Sequence, residues 1–236
     1  MTYATRTEDI TAHDGGSFHA HLARPAVTPA PGVLLLHEIF SVNDYIEAVA
    51  QRLTRLGYVV LAPDLFWRID PDHPLGQTED DMGGAFARVQ RLDLDEAVRD
   101  ADAALSHLSQ LDLVNGSVGV LGFCLGGTLA LATAVRSEPD AVVSYYGSGV
   151  TDHLADTGAV HCPITFVFGG NDPYIPSEVP EAVRTAFAAS DDVVVHVFDD
   201  AGHAFDNFLA PQFHEPISAI TAWGVTADFL ARTLPR

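Results

Sequence analysis

The fold of this chain is decided by one short stretch, Gly122-Phe123-Cys124-Leu125-Gly126-Gly127. An apolar run typical of a strand, 117–121, leads into it, and a run typical of a helix, 125–135, follows it. The spacing is Gly-x-nucleophile-x-Gly with cysteine as the nucleophile. The flanking glycines have no side chains that would collide in the strained turn, and this turn lifts the sulfur above the sheet. A helix N-terminus also favours the thiolate. The alternatives are a structural turn around an inert cysteine and a dinucleotide loop, whose G-x-G-x-x-G spacing is not matched.

Outward from this stretch, apolar strands alternate with amphipathic helices. The predicted strands cover residues 5–12, 17–23, 33–36, 58–62, 117–122, 141–146, 163–168 and 193–198, and the predicted helices cover 43–56 (capped by Gly57), 94–110, 125–135, 180–189 and 216–233. Repeated strand–helix units predict the α/β class, with a mostly parallel, doubly wound sheet flanked by helices on both faces. The first two strands are expected to be antiparallel at its edge. Residues 70–84 are expected to form an irregular surface excursion of the kind that often covers a site.

Composition narrows the class of protein. A chain of 236 residues with 47% hydrophobic residues fits a single domain over 1–236. The 32 acidic and 12 basic residues, the latter all arginine, give a net charge of −20, which repels nucleic acid and anionic membranes. Two cysteines make no disulfide framework, and the N-terminus has no apolar leader, so a cytoplasmic location is expected. No metal is expected, since H-E-x-x-H is absent, and no cofactor is expected.

Two later strands end in residues suited to assist a nucleophile. Asp172 follows the strand at 163–168, and His203 follows the strand at 193–198. In such sheets, sites lie at the carboxyl ends of the strands, which is where Cys124 also falls. A histidine there takes or holds the thiol proton, and an acid fixes its tautomer. Asp199 and Asp200 are alternative acids, but their place before the histidine loop favours solvent exposure.

The loop after the first buried strand supplies a further candidate group. In folds with this nucleophile turn, that loop and the residue after the nucleophile donate backbone N–H groups to an oxyanion hole. Here those residues are Ile39 and Leu125. Glu38 is unusual beside a thiolate, which it would repel, and the alternative is that it faces solvent.

Together these pieces resemble the dienelactone hydrolase family of α/β-hydrolases. The matching pieces are Glu38-Ile39-Phe40, Val42-Asn43, Ala62-Pro63-Asp64-Leu65, 122–127, Tyr145-Tyr146-Gly147, Asn171-Asp172 and Gly202-His203-Ala204-Phe205. The resemblance implies the α/β-hydrolase fold and a triad of Cys124, His203 and Asp172. It also implies that Glu38 contacts the nucleophile, holds the resting thiol and accepts its proton as substrate binds.

One departure concerns the substrate. The resemblance implies two arginines that hold a substrate carboxylate, yet this chain has Met82 and Asn207 at those positions. It also implies a tyrosine close to the first arginine, where this chain has Phe86. Arg68, Arg88 and Arg91 are the remaining candidates for the pocket. A neutral ester or lactone is therefore at least as good a candidate substrate as dienelactone. The expected pocket residues are Phe40, Phe86, Tyr146, Phe205 and Asn207.

The sequence therefore predicts a hydrolase of small carboxylic esters or lactones that works through a cysteine acyl-enzyme. One alternative is an acyltransferase that uses the same acyl-enzyme. The other is a non-catalytic binding protein with this fold. The expected partner is a small-molecule substrate, with no nucleic acid and no membrane, and the chain is expected to be a monomer or a homodimer.

Overall fold

The structure is a computed structural model that describes residues 3–76 and 78–235, without the side chains of Glu79 and Asp80. Its contacts divide the chain into two compact units, one up to Val118 and one from Gly119 to Pro235. The single domain predicted over 1–236 stays a prediction.

The first unit combines antiparallel and parallel strands. Its elements are β1 (Ala4–Thr11), β2 (Ser17–Arg24), β3 (Ala30–Leu36), α1 (Asp44–Arg55), β4 (Val59–Pro63), α2 (Glu79–Val89) and α3 (Leu94–Ser109). The strand order is β1-β2-β4-β3, in which β2 is antiparallel to both β1 and β4, whereas β3 and β4 are parallel. The predicted antiparallel pair at the edge is therefore confirmed.

Local sequence explains these elements. Every residue of β3 is buried, as its continuous apolar run predicts for a strand covered on both faces. Helix α1 begins after Asn43, whose side chain accepts a hydrogen bond from the N–H of Ile46 at 3.2 Å. Its apolar face packs against β2 and β4. The predicted cap at Gly57 is one residue late, because the helix ends with Leu56 as its cap.

The second unit is a run of parallel strands with helices against them. The boundary between the units falls within β5 (Val114–Phe123), and the unit continues with α4 (Leu125–Arg136), β6 (Ala141–Tyr145), a 3-10 helix (Val150–Ala159), β7 (Ile164–Gly169), α5 (Glu178–Ala186), β8 (Val193–Phe198) and α6 (Pro216–Thr233). Strands β5, β6, β7 and β8 pair in that order, all parallel. Helix α4 packs against β6, α5 against β8, and α6 against β6 and β7. The carboxyl ends of these strands therefore meet at one edge.

Two helical segments correct the sequence prediction. The expectation of an irregular excursion over 70–84 is wrong from Glu79 onward, where α2 begins. Thr78 accepts a hydrogen bond from the N–H of Asp81, whose carboxylate accepts one from the N–H of Thr78, and this capping box stabilises the start of the helix. The 3-10 helix was also not predicted. Among the described residues, no helix has the length and apolar content that a bilayer crossing requires.

Candidate active site

The turn between β5 and α4 holds Cys124 in a strained conformation. Its φ is 54° and its ψ is −115°, a region that a residue with a side chain adopts only when its surroundings enforce it. A Cβ on Gly122 would lie 1.9 Å from the carbonyl oxygen of Gly126, and one on Gly127 would lie 2.3 Å from that of Tyr145. Only glycine fits at both positions. The N–H of Cys124 also donates to the carbonyl of Tyr145 at 3.0 Å, so the turn is fixed at the N-terminus of α4.

The structure brings the three predicted triad residues into one hydrogen-bonded line. Asp172 lies in the turn after β7 and is buried, and its Oδ2 is 2.7 Å from Nδ1 of His203. The other imidazole nitrogen, Nε2, is 3.1 Å from Sγ of Cys124. Oδ1 of Asp172 accepts the backbone N–H of Tyr174 at 2.8 Å, which orients the carboxylate. The alternative acids Asp199 and Asp200 are both exposed, as expected.

The surroundings of His203 favour its charged form. Burial by itself lowers the pKa of His203, but the hydrogen bonds to Asp172 and Cys124 and the negative charge on both partners outweigh it and raise the pKa to about 10. A raised pKa favours the imidazolium near neutral pH, and in that form the ring donates to the carboxylate at Nδ1 and to the sulfur at Nε2. This is the arrangement that stabilises a neighbouring thiolate.

Two tyrosine rings contact the imidazole of His203. The ring centroid of Tyr146 lies 5.2 Å from that of His203, and the centroid of Tyr174 lies 5.1 Å away. Tyr146 is fully buried, whereas Tyr174 is 55% exposed. Sequence reasoning missed Tyr174, and its place two residues after the predicted acid is the signal that could have found it.

The other predicted site residues of the second unit differ in their surroundings and in their hydrogen bonds. Phe205 is fully buried, and its ring packs against Tyr146 with the centroids 5.7 Å apart. Asn207 is also fully buried, and its Oδ1 accepts the N–H of Leu209 at 3.2 Å, which engages its side chain within its own loop. Leu125 is the first residue of α4, so its N–H is not used by the bonds within the helix.

The predicted residues of the first unit follow β3. Glu38 is only 2% exposed, so the alternative that it faces solvent is wrong. Phe40 is buried and Ile39 is partly buried, whereas Phe86 on α2 is 46% exposed. The predicted contact of Glu38 with Cys124, the oxyanion donor at Ile39 and the pocket positions of Phe40 and Phe86 stay predictions.

A buried histidine holds the loop that carries Glu38. The N–H of Leu65 donates to Nε2 of His37 at 3.0 Å, so Nδ1 must carry the proton that it donates to the carbonyl of Glu38 at 2.6 Å. Burial lowers the pKa of His37, which keeps the ring neutral and this pair of hydrogen bonds intact. Across the described part of the chain, His, Cys, Asp and Glu side chains do not gather in threes at a geometry that could hold a metal ion.

Two of the candidate arginines are already paired. The guanidinium of Arg68 donates to Asp100 at 2.9 Å and to Asp14 at 2.6 Å. Arg88 is buried and donates through Nη2 to Asp70, while its Nη1 is buried with no hydrogen-bond partner in 3–76 and 78–235. Each of these cations therefore has a carboxylate of this chain beside it.

A strained turn at Cys124 after one parallel strand, with an acid and a histidine after two later strands, is the arrangement typical of an α/β-hydrolase. The model of the dienelactone hydrolase family matches residues 18–234. The chain belongs to the dienelactone hydrolase family, and the expected enzyme class, a carboxylic ester hydrolase of this family, is confirmed.

Individual proteins agree with this assignment. A carboxymethylenebutenolidase of Pseudomonas putida is 34% identical over 197 residues, covering 83% of this chain and 84% of that protein. A second carboxymethylenebutenolidase, from Pseudomonas sp. strain P51, is 33% identical over 227 residues, covering 96% and 94%. A crystal structure of a Klebsiella pneumoniae protein assigned as a dienelactone hydrolase matches with a TM-score of 0.85 at 22% identity, covering 98% and 100%. The predicted α/β-hydrolase fold is therefore confirmed.

Proposed function

We propose that this enzyme hydrolyses small carboxylic esters or lactones through an acyl-enzyme on Cys124. One observation carries the proposal, namely the hydrogen-bonded line from Sγ of Cys124 through the imidazole of His203 to the carboxylate of Asp172. In this assignment Cys124 is the nucleophile, His203 transfers protons, and Asp172 holds the imidazole in position.

The acylation step uses the ion pair of thiolate and imidazolium. The thiolate attacks the carbonyl carbon, and the carbonyl oxygen becomes an oxyanion, to which we assign the N–H of Leu125 as a donor. When the intermediate collapses, the carbon–oxygen bond of the ester breaks, and the leaving oxygen takes the proton from Nε2 of His203. In a lactone this alcohol stays attached to the acyl chain. A thioester on Cys124 and a neutral His203 remain.

Deacylation runs through the same groups in reverse. Neutral His203 accepts a proton from water as the water oxygen attacks the thioester carbonyl. The carbon–sulfur bond then breaks and Cys124 leaves as a thiolate, so the product is a carboxylic acid and the original ion pair is restored. The pKa of about 10 for His203 supports this cycle, because the imidazolium is the resting form.

The charges of the chain favour a neutral substrate. The net charge of −20 repels anions in solution, Arg68 is paired with Asp14 and Asp100, and the buried side chain of Asn207 stands where the family resemblance implies an arginine. Carboxymethylenebutenolidases among the relatives favour a lactone within this class. Comparison of kcat/KM for dienelactone and for a neutral lactone of similar size tests this point. A comparable or higher value for dienelactone would overturn the preference for a neutral substrate.

The hydrolase relatives favour water as the acyl acceptor over an added alcohol, amine or thiol. Analysis of the products formed with and without an added alcohol separates the two, since an acyltransferase would form a new ester. The absence of any turnover would favour the third possibility, a binding protein. Monomer or homodimer, and the cytoplasmic location, stay predictions.

Hydrolysis of p-nitrophenyl acetate by the wild type, Cys124→Ala and Cys124→Ser tests the nucleophile, with Cys162→Ala as the matched control. We expect Cys124→Ala to lower kcat by at least about ten-thousandfold, because the nucleophile acts only in the chemical steps. Cys162→Ala should keep wild-type activity. Equal activity in wild type and Cys124→Ala would make the turn at 122–127 structural and overturn the proposal.

A further inference from the structure

Tyr174 occupies an unusual position for an exposed residue. Its backbone N–H is bonded to Oδ1 of Asp172 at 2.8 Å, so the same turn that orients the acid fixes this residue. Its ring meets the imidazole of His203 nearly at right angles, with an interplanar angle of 79° and centroids 5.1 Å apart. Yet 55% of the residue remains exposed. A residue whose backbone is fixed by the acid's turn therefore lies with its ring against the imidazole while more than half of the residue stays exposed.

The proposed reaction determines what can lie against that surface. His203 gives its proton to the leaving oxygen, so the leaving group must come within hydrogen-bond reach of Nε2. Two tyrosines contact the imidazole, but Tyr146 is fully buried and has no surface to offer. The exposed ring of Tyr174 is the aromatic contact of His203 that a leaving group can use.

We propose that Tyr174 determines leaving-group specificity, as the aromatic wall against which the departing alcohol packs. Its flat ring favours planar, unsaturated or aromatic leaving groups, which stack on an aromatic face or meet its edge, over saturated ones. This inference rests on the proposed cysteine hydrolase function and adds a specificity-determining residue, Tyr174, to it.

A pair of acetate esters tests the proposal. Phenyl acetate has a planar aromatic leaving group, and trifluoroethyl acetate has a saturated one whose fluorines make it a competent leaving group. We expect Tyr174→Ala to lower the ratio of kcat/KM for the phenyl ester to that for the trifluoroethyl ester about fivefold, in line with the usual gain from one aromatic pair. Tyr174→Phe keeps the ring and should keep the ratio. The exposure of Tyr174, and the backbone origin of its bond to Asp172, make both substitutions compatible with folding.

The rate of Cys124 alkylation by iodoacetamide separates specificity from positioning. The proposal predicts an unchanged alkylation rate in Tyr174→Ala, because the ion pair with His203 does not need the tyrosine ring. An unchanged ester ratio would overturn the proposal. An equal loss for both esters together with slower alkylation would also overturn it, since Tyr174 would then act by holding His203. Failure of the underlying function would look different, because Cys124→Ala would then still hydrolyse both esters.

Discussion

The two cysteines of this chain lie in surroundings that have opposite effects on the reactivity of a thiol. Cys124 and Cys162 are both partly buried, so exposure does not distinguish them. Just before β7, burial and the negative charge of Asp140 raise the pKa of Cys162 to about 11. After β5, by contrast, Sγ of Cys124 lies at the start of a helix, 3.1 Å from Nε2 of His203, whose pKa is raised to about 10. The difference teaches that the turn and its partners, and not the residue type, make a cysteine a nucleophile.

Among the changes that compare the surroundings of the two thiols, the largest effect is expected from Asp172→Asn, which removes the carboxylate that pairs with His203. The amide is neutral and has an NH2 group that can donate to Nδ1. The imidazole is therefore no longer held with a proton on Nδ1, and its charged form is no longer stabilised by a carboxylate. We expect kcat for p-nitrophenyl acetate to fall by about a thousandfold or more. Asp200→Asn, an exposed acid near the same histidine in sequence, is the matched control and should stay within about twofold.

The same substitution has a pH signature. The wild type keeps the imidazolium up to the raised pKa of His203, about 10, so kcat/KM should fall only above that pH. The hydrogen bond to Asp172 is the largest of the effects that raise this pKa, and its loss should move the basic limb of the profile to lower pH. A basic limb that stays in place in Asp172→Asn would contradict the charge assigned to His203.

A somewhat smaller effect is expected in the reaction of the two thiols with iodoacetamide. With a pKa of about 11, Cys162 is a thiolate in about one molecule in ten thousand at neutral pH. We expect Cys124 to react on the order of a thousandfold faster, as measured by mass spectrometry of the two peptides. Urea-unfolded protein is the control, in which both thiols should react alike. Similar alkylation rates for Cys124 and Cys162 in the folded protein would show that their surroundings do not change the reactivity of the thiol.

The grouping of Cys124, Asp172 and His203 was predictable from sequence because each residue follows a strand of the parallel sheet. Cys124, Asp172 and His203 follow β5, β7 and β8 in the turns or loops after these strands, and parallel strands bring their carboxyl ends to one edge. Tyr174 was not predictable in this way. Nothing in the order of residues shows that a tyrosine two positions after the acid would turn back onto the imidazole, since that depends on the hydrogen bond to the carboxylate.

Helix α2 shows a different limit of sequence reasoning. Its adjacent Gly83 and Gly84 lower helix propensity and suggested a loop. The capping box of Thr78 and Asp81 was the signal that could have located it. The burial of Glu38 was expected only through the family resemblance, because a carboxylate is rarely buried and the residue pattern by itself does not separate a buried one from a solvated one.

The smallest expected effect concerns folding stability. A Cβ on Gly122 meets the backbone of Gly126, whereas a Cβ on Gly158, in the 3-10 helix that precedes Cys162, has no atom within 4 Å. We expect Gly122→Ala to lower the free energy of unfolding by about 3 kcal/mol and Gly158→Ala by less than about 0.5 kcal/mol, in urea unfolding followed by circular dichroism. Equal stability of the two variants would contradict the close contact between a Cβ on Gly122 and the backbone of Gly126.

The acyl-enzyme itself gives the most direct test of the central claim. The enzyme is mixed with p-nitrophenyl acetate, quenched in acid during turnover, digested and analysed by mass spectrometry. We expect an acetyl group on the peptide that contains Cys124, none on the peptide that contains Cys162, and no label in Cys124→Ala. Continued hydrolysis with no acetyl group on Cys124, or with a label on another residue, would contradict it.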